Sequence, residues 1–161
     1  MRQQQTGNEA SFDGVATRQL VLDTNVVLDW IVFNDPGVEP IARAIESGQA
    51  QPVTSDACLE ELRRVLEYPA LKLDAATRSI AFERYRARAT LFDAGILSAP
   101  AELPRCTDAD DQKFLELAWH ANAHWLITKD RALLKLARAV EKLGRFAVVN
   151  PGQCDWGLAA G

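Results

Sequence analysis

Short apolar runs and longer stretches of helical spacing take turns along this chain. Leu20-Val21-Leu22 leads directly into Asp23, Thr24 and Asn25, and such an unbroken apolar run predicts a buried strand over residues 19–23. Val26, Val27, Trp30 and Ile31 follow at helical spacing from Thr24, until Asn34-Asp35-Pro36-Gly37 forces a turn. Ile41, Ala44 and Ile45 mark a second helix, ended by Ser47-Gly48. Residues 51–54 are the next strand candidate. Ser55 is placed to cap a helix with the stripe Leu59, Leu62, Val65 and Leu66, which stops before Pro69.

Asp74 caps a long helix predicted to reach about Phe92, with Ile80, Phe82, Tyr85, Ala89 and Leu91 as its apolar positions and Gly95 closing it. Residues 99–104 are a connector. A helix then begins near Asp108 and carries Phe114, Leu115, Leu117, Ala118 and Trp119. Residues 125–128 are a buried strand ending close to Asp130, residues 131–143 a helix closed by Gly144, and residues 146–149 the last strand. Strands that alternate with helices imply a parallel sheet flanked by helices, with right-handed crossovers.

No repeat or linker interrupts residues 19–150, which are read as one domain. Residues 1–18 are polar and read as a poorly ordered leader, and residues 151–161 as a tail. A length of 161 residues suits one domain with one proper core, and 48% hydrophobic with 25% charged residues is an ordinary globular balance. No apolar run reaches the roughly 18 residues that span a membrane, and the start of the chain lacks a signal-peptide pattern, so a cytoplasmic protein is expected. Cys58, Cys106 and Cys154 are widely spaced and odd in number, which argues against a disulfide framework or a zinc ribbon. The net charge of −4 disfavours a passive nucleic-acid binder but not an enzyme whose acids are gathered at a metal.

The acids fall in suggestive places. Asp23 follows the first strand, Glu60 and Glu61 lie in the first turns of the Ser55 helix, Asp108, Asp110 and Asp111 open the Phe114 helix, and Asp130 follows the Trp125 strand. In a parallel sheet these ends share one edge, where uncompensated carboxylates repel one another. A hard dication relieves that repulsion, and oxygen-only donors select Mg²⁺ or Mn²⁺. Such a site activates water and clamps phosphodiester oxygens. Taken singly, each acid is as well explained as a turn residue or a helix cap.

The ordered set Val21-Leu22-Asp23-Thr24-Asn25, Leu59-Glu60-Glu61-Leu62, Asp108-Ala109-Asp110-Asp111-Gln112-Lys113-Phe114 and Leu126-Ile127-Thr128-Lys129-Asp130 resembles the PIN-domain ribonucleases, and specifically the PIN-type toxins of bacterial toxin–antitoxin pairs. The resemblance covers about residues 19–150. It implies a three-layer α/β/α sandwich around a central parallel sheet, dependence on Mg²⁺ or Mn²⁺, endonucleolytic cutting of RNA, and a small antitoxin protein as partner. It maps the family's acids onto Asp23, Glu61, Asp111 and Asp130 as catalytic metal ligands. Helical geometry agrees with Glu61 over Glu60, because Glu61 and Val65 share a face. Asp108 is either a further ligand or the helix cap. Thr24, Asn25 and Thr128 are supporting residues, with helix capping as their plainer role.

Arg63, Arg64, Arg84 and Arg88 are candidates for RNA phosphates, and a solvated helix face is the competing reading. His120 and His124 stand four apart, a spacing that can hold zinc, but with no third ligand nearby they are read as surface or helix-end residues. Trp30, Trp119 and Trp125 are expected in the core, and Trp156 is a candidate for a partner interface. A homodimer is a further assembly to consider. Two other functions compete: an inactive binding module, which the presence of all four acids opposes, and a phosphatase using Asp23 as nucleophile, which the amide of Asn25 opposes, since that chemistry usually wants an acid there.

Overall fold

The computed structural model describes residues 16–93 and 100–156. Its elements in chain order are β1 (Arg18–Leu22), α1 (Thr24–Ile31), α2 (Glu39–Glu46), β2 (Ala50–Thr54), α3 (Asp56–Leu66), α4 (Ala75–Arg88), β3 (Thr90–Leu91), α5 (Gln112–His120), β4 (Trp125–Ile127), α6 (Arg131–Leu134), α7 (Ala137–Glu141) and β5 (Ala147–Val149). The strands form a five-stranded, wholly parallel sheet in the order β3-β2-β1-β4-β5. Helices cover both faces, giving the expected three-layer α/β/α sandwich.

Strand alternation builds the two cores. Leu20 and Leu22 of β1 pair with Trp125 and Ile127 of β4 and face α1, α2 and α4. Val21 sits between Val53 of β2 and Leu126 of β4 and turns the other way, onto Phe114, Leu115 and Ala118 of α5. Both faces of the central strands are therefore buried, which is why they read as continuous apolar runs. Each fully buried aliphatic side chain contributes about 1.5–3 kcal/mol.

The strand order places the candidate site. From β1 the chain steps to β2 and then β3 on one side, while β4 and β5 lie on the other. The direction of winding reverses between β1 and β4, and the crevice at the carboxyl ends of such a strand pair is where open α/β sheets bind ligands. The Asp23 N–H donates to the Ile127 carbonyl at 3.0 Å, and the Thr128 N–H donates to the Val149 carbonyl at 2.9 Å, so this edge is stitched together just beyond the strands.

Several expectations need correction. The Asp74 helix ends at Arg88, and the chain straightens into β3, an edge strand that residues 90–91 do not announce. Ile80 and Leu91 are exposed and belong to no core stripe. The helix expected over 131–143 is two short helices, α6 and α7, with a break at Lys135 and Leu136.

Trp156, a candidate for a partner interface in the sequence, packs into the core of the chain. It is buried against Trp125, with ring centroids 5.0 Å apart, and the Arg18 guanidinium lies 5.1 Å from the Trp125 ring. Trp30 and Trp125 are buried as expected, whereas Trp119 is half-buried beneath Arg145. The expected leader up to residue 15, the closing Gly95 and the end of the tail lie outside the described residues. No helix among the described residues is long and apolar enough to cross a membrane.

Candidate active site

Six aspartates among the described residues occupy the capping position of a helix or 3-10 turn, and their side chains divide into two groups. Asp35, Asp74, Asp108 and Asp130 accept from the backbone N–H groups of Gly37, Thr77, Asp110 and Leu133 at 2.8–3.1 Å, as ordinary caps do. Asp23, before α1, and Asp111, before α5, form no cap. Capping is thus the wrong explanation for these two, and their carboxylates are left for the crevice.

Asp23 is 4% exposed. Its Oδ2 accepts from the Thr128 hydroxyl at 2.6 Å, and that same hydroxyl oxygen accepts from the Asp130 N–H at 2.9 Å. Thr128 is completely buried, so it ties the acid after β1 to the acid after β4 through one rigid side chain. Burial raises the pKa of Asp23 above the usual carboxylate value, the Thr128 bond opposes the rise, and the neighbouring Glu61 and Asp130 charges reinforce it. Asp130 spends Oδ2 on capping α6.

Asp111 is partly exposed, and its pKa is pushed up to about 7. Burial is the largest cause, followed by repulsion from Asp23, Asp130, Asp108 and Glu61. Four of the acids singled out from the sequence therefore act on this one carboxyl. Asp108 is exposed and caps the 3-10 turn Ala109–Asp111. Asp110 and Glu60 are exposed.

Glu61 turns inward from α3. Its Oε2 accepts from the Thr24 hydroxyl at 2.7 Å, and its Oε1 lies 2.5 Å from the Lys113 ammonium. Lys113, in the first turn of α5, is a site residue that sequence reasoning missed. The available signal was a lone cation two positions after Asp111. Lys129 similarly pairs with Asp29, one turn beyond Asn25 on α1. Asn25 is exposed at the start of α1.

The arginines lie elsewhere. Arg63 stacks on Phe82 at 4.1 Å, in the groove between α3 and α4. Arg84 donates to the Ile31 carbonyl at 3.3 Å, and Arg88 pairs at 2.9 Å with Glu46, whose helix leads into the start of β2. Arg64 is exposed on α3. His124 is exposed and stacks edge-on against Trp125.

Fold and site together define a class, a parallel α/β protein with carboxylates gathered at its topological switch point. A family model described as PIN domain matches residues 19–132, and the chain belongs to the PIN-domain family. Among solved structures it is similar to a chain of VapBC2 from Rickettsia felis bound to a DNA fragment from their promoter. The identity is 15%, the TM-score 0.50, and the match covers 82% of this chain and 98% of that one. It is also similar to the PIN domain endonuclease Utp24, at 14% identity and a TM-score of 0.47, with 86% of each chain covered. At such identities the likeness is one of fold. No curated protein matches the chain in sequence.

PIN domains are generally nucleases that use divalent metals. The donors here suit such an ion. They are hard carboxylate oxygens, and burial, followed by repulsion from the neighbouring acids, pushes the Asp111 pKa up to about 7. Among the described residues no group of three His, Cys, Asp or Glu side chains is close enough together as it stands to hold a metal ion.

Proposed function

We propose that this chain is a divalent-metal-dependent endoribonuclease and the toxin of a toxin–antitoxin pair, held in check by a small antitoxin protein. The observation that carries the reading is the freedom of Asp23 and Asp111. Two acids at helix starts decline the capping role and face each other's charge across the switch point. Asp23, Asp111 and Asp130, with Glu61 beside them and Asp108 at the rim, would hold the ion. Mg²⁺ or Mn²⁺ bound there would supply activation of water and neutralisation of charge on the phosphodiester.

The chain's own residues prepare that site. Thr128 fixes the rotamer of Asp23, Thr24 fixes Glu61, and the exposed amide of Asn25 is available to orient the scissile phosphate. RNA as substrate and the antitoxin come from the sequence resemblance, and a cytoplasmic setting from the lack of a membrane-spanning or signal-peptide pattern in the sequence. The VapBC2 fold match is in keeping with the toxin reading.

A nuclease assay of the purified chain on single-stranded RNA, with Mn²⁺ and with EDTA, tests the enzymatic part. Internal cleavage that requires the ion is expected, and intact RNA in Mn²⁺ would refute it. For the toxin part, growth arrest on expression should be relieved by the product of a neighbouring short reading frame.

A further inference from the structure

Four carboxylates repel an RNA strand as well as attracting a cation, so a positive side chain beside the ion would strengthen the hold on the phosphate. Of the four arginines that looked suitable in the sequence, Arg63, Arg84 and Arg88 are engaged with Phe82, the Ile31 carbonyl and Glu46, and Arg64 is exposed on α3 with no contact to a site acid among the described residues. Lys113 is different. Its ammonium pairs with Glu61, one of the site acids, and its side chain is 21% exposed, against 15% for Glu61. It also donates to the Asp110 carbonyl. An ammonium has three donors, so two are spent on holding it and one remains.

We propose that Lys113 is the residue that binds the phosphate of the RNA strand at the acid cluster, and that Glu61 positions it there. This rests on the nuclease reading above. The arrangement explains why Glu61 has both oxygens engaged. Thr24 fixes one, and the other anchors the lysine at the first turn of α5, beside Asp111. A lysine pinned at two points has already lost most of its rotamer freedom, so its contact with phosphate costs little further ordering. Glu61 also keeps the cation from being drawn onto Asp23 or Asp111, which leaves those carboxylates for the metal.

The test uses the full chain carrying Asp23→Asn, which keeps RNA uncut, and follows binding of a fluorescent single-stranded RNA by anisotropy between about 0.05 and 0.2 M salt. Adding Lys113→Gln is expected to weaken binding about fivefold at 0.1 M salt and to reduce the slope of log affinity against log salt by about 0.7, the value of one single-strand phosphate contact. Lys113→Arg should restore the slope. In a second measurement, calorimetry with Mn²⁺ on Lys113→Gln alone should show binding at least as tight as wild type, because a repelling positive charge has gone. Weaker RNA binding beside retained metal binding separates a phosphate contact from collapse of the site.

Unchanged RNA affinity and slope in Lys113→Gln would overturn the assignment. So would joint loss of RNA and Mn²⁺ binding that Lys113→Arg does not recover. If the wild-type chain cuts RNA in Mn²⁺ while either of those holds, only the role of Lys113 falls. If the wild type neither binds nor cuts RNA, the nuclease reading falls and takes this assignment with it.

Discussion

The Thr128 hydroxyl donates to Oδ2 of Asp23 at 2.6 Å from a completely buried position, joining the acids after β1 and β4. Removing it leaves a buried carboxylate and the Asp130 N–H each short of a partner. Thr128→Val keeps the shape and should cost roughly 1–3 kcal/mol in a urea melt. It should also weaken Mn²⁺ binding roughly 10–100-fold, the usual penalty for losing a partner of a metal ligand. Thr128→Ser should recover most of both. Wild-type melting and calorimetry in Thr128→Val would show that the bond organises nothing.

Asp108 and Asp111 should separate by the kind of damage they cause. Asp108 caps the 3-10 turn, so Asp108→Ala should lower stability by about 1 kcal/mol at any pH where the carboxylate is charged. Asp111 has a folded pKa of about 7 against an ordinary 3.8, so between those values the folded chain holds a proton that the unfolded chain has released. Stability of the metal-free protein must then fall as pH rises from about 4 to about 7. Solvent screening at this partly exposed carboxyl limits the effect to roughly 1–2 kcal/mol. Asp111→Asn should flatten much of that decline. Thermal melts in EDTA across the range decide it, and a slope unaltered in Asp111→Asn would contradict the assignment.

Neighbouring glutamates provide an internal control. Glu61 is held by Thr24 and Lys113, while Glu60 is exposed on the same helix. Glu61→Gln should reduce RNA cleavage by at least about 100-fold, the upper end of what a partner of a metal ligand costs. Glu60→Gln should leave cleavage rates unchanged. Equal effects in the paired assay would mean that the inward turn of Glu61 has no bearing on the chemistry.

The central strands were legible because both faces of β1 and β4 are buried, which writes a continuous apolar run into the sequence. Asp23 and Asp130 were legible as acids just past such runs. β3 was not, since two exposed residues on a sheet edge carry no pattern. The break between α6 and α7 was hidden by apolar residues that continue at helical spacing through it. Lys113 was missed for another reason. Its partner Glu61 lies on a different helix, and only the fold brings α3 and α5 to the same crevice. Trp156 docks on Trp125 by the same kind of long-range packing. That Asp108 caps a turn while Asp111 caps nothing is a matter of side-chain direction, which spacing does not encode.

The most direct test of the central claim compares wild type with Asp23→Asn in a time course of RNA cleavage, each with Mn²⁺ and with EDTA, alongside a circular dichroism spectrum. Asp23 is the buried acid at the switch point, so the variant should show a native spectrum and no cleavage, while the wild type cuts only with the ion. Full cleavage by Asp23→Asn, or cleavage by the wild type that persists in EDTA, would contradict the account.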